Sequence, residues 1–291
     1  MEPLIKKLIV VVGPTASGKT AYAIELAKKY DTEIISADSR QFFREMSIGT
    51  AKPTPEELSQ AKHHFIDSHS IMDSFSVGDF EKQALAVLDD IFKTHDAAIM
   101  AGGSGLYIKA VCEGFDDLPV ASTGIRERLN REFEEKGITL LQEKLKVADP
   151  VYYDEVDLNN PQRLIRALEV WESTGRPFSS YRKAEAAQRP FEIKKIGLDL
   201  PREVLYQRIN DRVDEMVKHG LVEEVRSLLP YRHLNALNTV GYSELFDHFD
   251  GKTDPNTAIA LIKQNTRRFA KRQLTWFRKD TGIRWLKPPF L

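Results

Sequence analysis

The chain has 291 residues, 42% hydrophobic and 29% charged, so it can bury a full core and still carry a smaller appendage. Its formal net charge of −1 excludes overall charge as the source of attraction to a polyanion, and its one cysteine, Cys112, excludes an intrachain disulfide and a thiolate zinc cage. The first apolar run, residues 8–12, is too short for a membrane span or a secretory h-region, which sets the expectation of a cytoplasmic protein without membrane attachment.

That run, Leu8-Ile9-Val10-Val11-Val12, reads as a buried strand leading into Gly13-Pro14-Thr15-Ala16-Ser17-Gly18-Lys19-Thr20, a complete phosphate-binding loop. Gly13 and Gly18 let the backbone turn so that successive N–H groups converge on diphosphate oxygens, at the positive end of a helix beginning near Gly18. Lys19 adds a point charge for the terminal phosphate, and the Thr20 hydroxyl suits Mg²⁺. A helical run from Ala21 to Tyr30 follows, then a short buried strand from Glu33 to Ala37 that ends at Asp38. Asp79 is expected to cap a helix reaching about Thr94, with Phe80, Ala84, Val87, Leu88 and Ile91 on one face. Ala97 to Ala101 forms a third predicted strand, closed by Gly102-Gly103-Ser104-Gly105. Strand and helix alternate with short connections, which predicts an α/β fold with a parallel sheet flanked by helices.

From about Asp116 to Arg189 strand patterns vanish, and helical stretches fall at 124–136, 139–147 and 161–174. The expected organisation is a mostly helical insertion domain, residues 116–190, within a core of residues 1–115 and 191–291. Residues 193–200 return to strand character, Pro201 opens a helix to His219 that Gly220 stops, and Asp254 caps a last long helix from about Pro255 to Lys279. No internal repeat or low-complexity tract occurs, no long disordered tail is expected, and no strongly apolar exposed helix is evident, which favours a monomer.

Asp38 falls at the carboxyl end of a parallel strand, the edge on which the phosphate loop also opens. There it either holds Mg²⁺ or takes a proton from a nucleophile, or it merely caps the next turn with Ser39. Gly102 to Gly105 stand where many phosphate-loop nucleoside triphosphatases carry a metal-binding aspartate after the strand. Small residues and the Ser104 hydroxyl replace it, and suit either close approach of a substrate or a tight turn. Lys263, Arg267, Arg268, Lys271, Arg272, Arg278 and Lys279 alternate with Phe269, Trp276 and Phe277, with no acidic residue between Pro255 and Lys279. That strip suits a nucleic-acid backbone and a stacked base, or else a solvated face over core aromatics. His63, His64, Asp67 and His69 match no usual zinc spacing. Arg208 and Arg212, one helical turn apart, suit a phosphate or surface ion pairs with Asp211 or Glu215.

Together these residues resemble the bacterial tRNA dimethylallyltransferase family. The likeness runs through the phosphate loop, Asp38-Ser39-Arg40-Gln41, Gly49-Thr50-Ala51-Lys52-Pro53, Gly102-Gly103-Ser104-Gly105-Leu106-Tyr107, Asn160-Pro161-Gln162-Arg163 with Arg166-Ala167-Leu168-Glu169, Val240-Gly241-Tyr242, and Ala270 to Arg278. Ser104 departs from the family's more frequent threonine but keeps the hydroxyl. The resemblance implies a phosphate-loop-type parallel sheet with a helical insertion. It also implies Mg²⁺-dependent transfer of a dimethylallyl group from dimethylallyl diphosphate to N6 of the adenine 3′ to the anticodon, in tRNAs reading codons that begin with U. By the same resemblance Asp38 is the base, while Lys19, Thr15, Thr20 with Mg²⁺, Ser104 and Arg212 face the diphosphate. The tRNA anticodon stem-loop would be held by Asp38 to Gln41, Ser104, Arg126, Asn160, Pro161, Gln162, Arg163, Arg272, Gln273, Trp276 and Arg278, around an adenine drawn out of its stack. Three other readings remain at this point: a small-molecule kinase using ATP, a prenyltransferase acting on free adenine nucleotides, and a non-catalytic RNA-binding switch.

Overall fold

The computed structural model describes residues 5–115, 118–119, 124–182 and 186–290. The chain forms two compact units, Met1–Gly114 with Gln188–Leu291, and Phe115–Ala187.

The first unit is built on six parallel strands: β1 (Lys7–Val12), β2 (Ile34–Ser36), β3 (His63–His64), β4 (Ala97–Gly102), β5 (Glu192–Leu198) and β6 (Ile283–Leu286), in the order β3-β2-β4-β1-β5-β6. Leu8, Val10 and Val12 of the central strand β1 pack on one side with α3 (Val77–Thr94) and α4 (Gly105–Glu113); Ile9 and Val11 pack on the other with α1 (Lys19–Tyr30). A strand buried on both faces has no polar alternation, which is why residues 8–12 are uniformly apolar. Because all strands run one way, the phosphate loop after β1, Asp38 after β2 and Gly103 after β4 open along one sheet edge.

The remaining helices of this unit are α2 (Pro55–Gln60), α9 (Arg202–Lys218), α10 (Leu221–Ser227), α11 (Ser243–Phe249) and α12 (Pro255–Phe277). The last starts at Asp254, whose side chain accepts the Thr257 N–H, and spans three apolar clusters: Ala258 and Ile262 pack with Leu221, Val225 and Tyr242, Ala270 with Ala16 and Ile209, and Phe277 with Phe80 and Ile108. The second unit comprises α5 (Ile125–Lys136), α6 (Ile138–Ala148), α7 (Pro150–Glu155) and α8 (Pro161–Thr174) around Leu129, Leu141, Leu145, Leu164 and Leu168.

Two expectations need correction, and one strand lies outside them all. Asp79 is not the cap of α3: Ser76 is, and Asp79 answers it from the third helical position in a reciprocal capping box. Residues 97–102 are the fourth strand, because His63–His64 pairs with β2 as a strand of only two residues. The final sheet strand, β6, lies beyond α12 and pairs with β5. Cys112 is buried, and burial pushes its thiol up to about 12.

Candidate active site

A cavity of about 750 Å³ opens at the carboxyl edge of the sheet, lined by the phosphate loop, Asp38 to Gln41, residues 49–53, Gly102 to Ser104, residues 238–241, and Arg212, Phe269, Arg272 and Gln273. In the loop, Ala16 (φ 63°) and Gly18 (φ 92°) hold left-handed backbone, a sequence of turns that collects amide N–H groups into an anion nest at the start of α1. Ser17, 0% exposed, keeps its Oγ without a partner, an unspent donor inside the loop. The Lys19 ammonium folds back to donate to Pro14 C=O at 2.6 Å. Burial foremost, then the Arg212 charge, lowers Lys19 to about 7 against the opposing pull of Asp38.

Asp38 is shifted the other way. Burial raises its carboxyl, outweighing the Arg40 N–H bond (3.0 Å) and the Lys19 charge. A carboxylate so raised is a better proton acceptor near neutral pH than an exposed one. Ser104 accepts the Ser39 N–H at 2.9 Å and donates its own N–H to Ala37 C=O, so the turns after β2 and β4 are locked together. Gln41 gives its amide N–H groups to Thr50 C=O and Ala51 C=O (3.2 and 3.1 Å) and accepts from Ser36 Oγ. Arg40 lines the cavity and reaches Asn238 C=O at 3.4 Å.

The glycines after β4 serve the protein's own close contacts rather than a substrate's approach. A Cβ on Gly102 would strike the Ala37 backbone, one on Gly103 the Gln273 amide, and one on Gly105 the Trp276 indole. Gln273, expected on the RNA, is turned inward at 7% exposure; it accepts the Thr15 N–H at 2.8 Å and donates to Gly103 C=O at 3.0 Å. Its neighbours on α12 differ: Arg272 lines the cavity and lies over Phe269, while Phe269 and Trp276 are 40% and 41% exposed. Phe277 is core.

The basic strip is partly spent on ion pairs and hydrogen bonds. Lys263 pairs with Asp214, Arg267 bonds Asn210, and Arg278 reaches Asp199 at 3.2 Å. Arg212 faces the cavity, and Arg208 lies near the loop, its guanidinium 3.9 Å from where a Gly18 Cβ would stand. In the second unit Arg126, expected to touch RNA, is forked onto buried Glu169, which also binds Arg166. Burial would raise Glu169, but these two arginines hold it below the usual carboxylate range. Asn160 caps α8 by accepting the Arg163 N–H, with Pro161 at the first helical position and the Gln162 and Arg163 side chains exposed. His64 pairs with Glu33, Asp67 with Lys52, and His69 stacks on Phe75; among the described residues no group of three His, Cys, Asp or Glu could hold a metal.

One support of the cavity wall is made by tertiary contact alone. Glu224 accepts the N–H groups of Ser47, Ile48 and Gly49 and the Tyr242 hydroxyl at 2.6 to 3.0 Å, and the Tyr242 ring fills the space a Gly49 side chain would need. Its only sequence signal was the Val240-Gly241-Tyr242 triplet.

The parallel sheet, the anion nest and the acid in one cavity define a phosphate-loop α/β protein equipped to hold an anionic ligand beside a proton acceptor. The family model described as IPP transferase matches residues 41–280. A tRNA dimethylallyltransferase of Christiangramia forsetii is 58% identical over 280 residues, covering 96% of this chain and 93% of that protein. One from Cytophaga hutchinsonii is 52% identical over 288 residues, covering 99% and 95%. The crystal structure of the tRNA isopentenylpyrophosphate transferase from Bacillus halodurans, 39% identical, superposes with a TM-score of 0.71 over 97% of this chain and 90% of that one. This chain belongs to the IPP transferase family.

Proposed function

We propose that this chain transfers the dimethylallyl group of dimethylallyl diphosphate to N6 of the adenine 3′ to the anticodon, in tRNAs reading codons that begin with U, giving N6-dimethylallyladenosine. The observation that carries this reading is one cavity lined by Asp38, the phosphate loop and Gln41, within a chain whose relatives bear that activity's name. The allylic carbon–oxygen bond breaks as the N6–carbon bond forms, the diphosphate leaves with the bonding electrons, and Asp38 takes the N6 proton. Lys19, Arg212, the Thr15 hydroxyl, the Ser104 hydroxyl and the loop amides that follow Thr15 receive the charge that develops on the leaving group.

Thr20 places one hydroxyl on the cavity wall, and among the described residues no group of three His, Cys, Asp or Glu stands with it, so Thr20 would hold a Mg²⁺ brought with the diphosphate and not one caged by protein. Such an ion would neutralise leaving-group charge. Asp38 to Gln41, Ser104, Arg272 and Trp276 supply the surface for the extruded adenine and its flanking phosphates, and Asn160 to Arg163 at the start of α8 supply further grip. Arg278 would join by exchanging Asp199 for phosphate, whereas Arg126, forked onto buried Glu169, would support the start of α8 from within. The enzyme works as a cytoplasmic monomer.

Incubation with radiolabelled dimethylallyl diphosphate, Mg²⁺ and unmodified tRNA is expected to label the tRNA. Label appearing only on free adenine nucleotides, or ATP consumption without label transfer, would overturn this reading in favour of a nucleotide prenyltransferase or a kinase.

A further inference from the structure

We infer that Gln273 is a positioning residue of the diphosphate site, a strut that sets the separation of the phosphate loop from the turn after β4. The inference rests on the transferase reading for its substrate but on the geometry for its substance. Among the described residues the Gln273 side chain bonds only the Thr15 N–H and Gly103 C=O, one from each rim of the cavity. Neither group belongs to a strand or helix ladder, so each depends on this amide for a protein partner. The fit is reciprocal: Gly103 has no side chain, and a Cβ there would overlap the Gln273 amide nitrogen.

A buried amide is an expensive way to fill space, because both its donor and its acceptor must be matched. Leucine or methionine would pack this interior at lower cost. What an amide adds is direction, since it accepts from the loop and donates to the turn through a single planar group. With Oε1 engaged, the Thr15 N–H is aimed away from the anion and the following amides are left to face it. With Nε2 engaged, Gly103 C=O is turned from the cavity, where its negative end would oppose a diphosphate. Gln273 therefore acts on the leaving group through Thr15 and Gly103, without touching it.

Two variants test this. Gln273→Met keeps the volume and loses both bonds. Gln273→Glu keeps the acceptor for Thr15 but sets a carboxylate against Gly103 C=O, and regains a donor only when protonated. Steady-state kinetics with dimethylallyl diphosphate and tRNA would be paired with calorimetric binding of inorganic pyrophosphate, and thermal melts would confirm folding. For Gln273→Met, the pyrophosphate Kd and the KM for dimethylallyl diphosphate should rise about tenfold, as expected for two lost buried bonds, with the tRNA KM within about twofold of wild type. For Gln273→Glu, pyrophosphate affinity relative to wild type at the same pH should recover as pH falls from 8 towards 5.5, which packing alone would not produce. A rise confined to the tRNA KM would instead assign Gln273 to RNA contact. Unchanged pyrophosphate binding in Gln273→Met, or a pH-independent ratio in Gln273→Glu, would equally overturn the strut. A wild-type protein that binds pyrophosphate but leaves tRNA unlabelled would sink the transferase reading alone.

Discussion

At the residue scale the site works by pushing two neighbouring groups in opposite directions. Burial lifts Asp38 and, with Arg212, lowers Lys19 to about 7. The charged form of Lys19 is the one that favours a polyanion, so bound diphosphate must raise its pKa again. Below pH 7 the ammonium already carries its proton. Above it, binding must draw one from solvent. Wild type is therefore expected to take up close to one proton more than Lys19→Arg on binding pyrophosphate between about pH 7.5 and 8.5 and almost none more at pH 6, read by calorimetry in buffers of different ionisation enthalpy, the difference between the two proteins cancelling the titration of pyrophosphate itself. Asp38→Asn keeps the cavity shape but cannot accept the N6 proton. It should lower kcat by about 10²-fold or more while the tRNA KM changes little, as loss of a general base predicts. Both residues were legible in sequence because their roles follow from a position next to a strand end. The sequence did not reveal that each shifts the other, because the burial of both, and the Arg212 charge that helps to lower Lys19, come from tertiary packing.

At the element scale, what could be read was what repeats. β1, α1, α12 and α5, α6 and α8 of the second unit announce themselves by apolar runs, periodicity and caps, and they stand within a few residues of their expected bounds; α7, of six residues, does not. β3, β6, α2, α10 and α11 are too short to carry a period, and their places are decided by what they pack against. The same holds for supports made by tertiary contact: nothing near Gln273 or Glu224 in sequence points to Thr15 or to Gly49. Glu224 is the more consequential omission. It gathers three consecutive amides of the 47–49 turn and the Tyr242 hydroxyl, and the turn leads to the Thr50 and Ala51 carbonyls that hold Gln41. Glu224→Gln replaces one acceptor oxygen by a donor facing donors. It should cost about 1–3 kcal/mol of stability by chemical denaturation. The tRNA KM should rise several-fold and the pyrophosphate Kd should stay fixed, since the damage falls on the base-facing wall and not on the phosphate loop.

At the scale of the whole molecule, a net charge of −1 must be reconciled with a polyanionic partner. Each unit has its own apolar core, and each carries cations of two kinds. Arg126, Lys263 and Arg278 are paired internally, and releasing them to RNA exchanges one partner for another with little net gain. Arg163 is exposed at the start of α8, and Arg272 lines the cavity with its guanidinium over an aromatic ring rather than a carboxylate. Phosphate contacts release counterions in proportion to their number, so affinity should fall with salt only as steeply as the unpaired cations allow. The tRNA KM should rise with ionic strength between about 50 and 300 mM while the dimethylallyl diphosphate KM, set inside a cavity, should move far less. Arg163→Ala should weaken tRNA binding and make the slope of log KM against log salt shallower by about one phosphate contact. Arg126→Ala should instead register mainly as lost stability, because it leaves buried Glu169 with Arg166 as its one remaining arginine. An equal fall in salt slope for both variants would mean that the Arg126–Glu169 pair opens when tRNA binds, and the division between spent and available cations would then have to be redrawn.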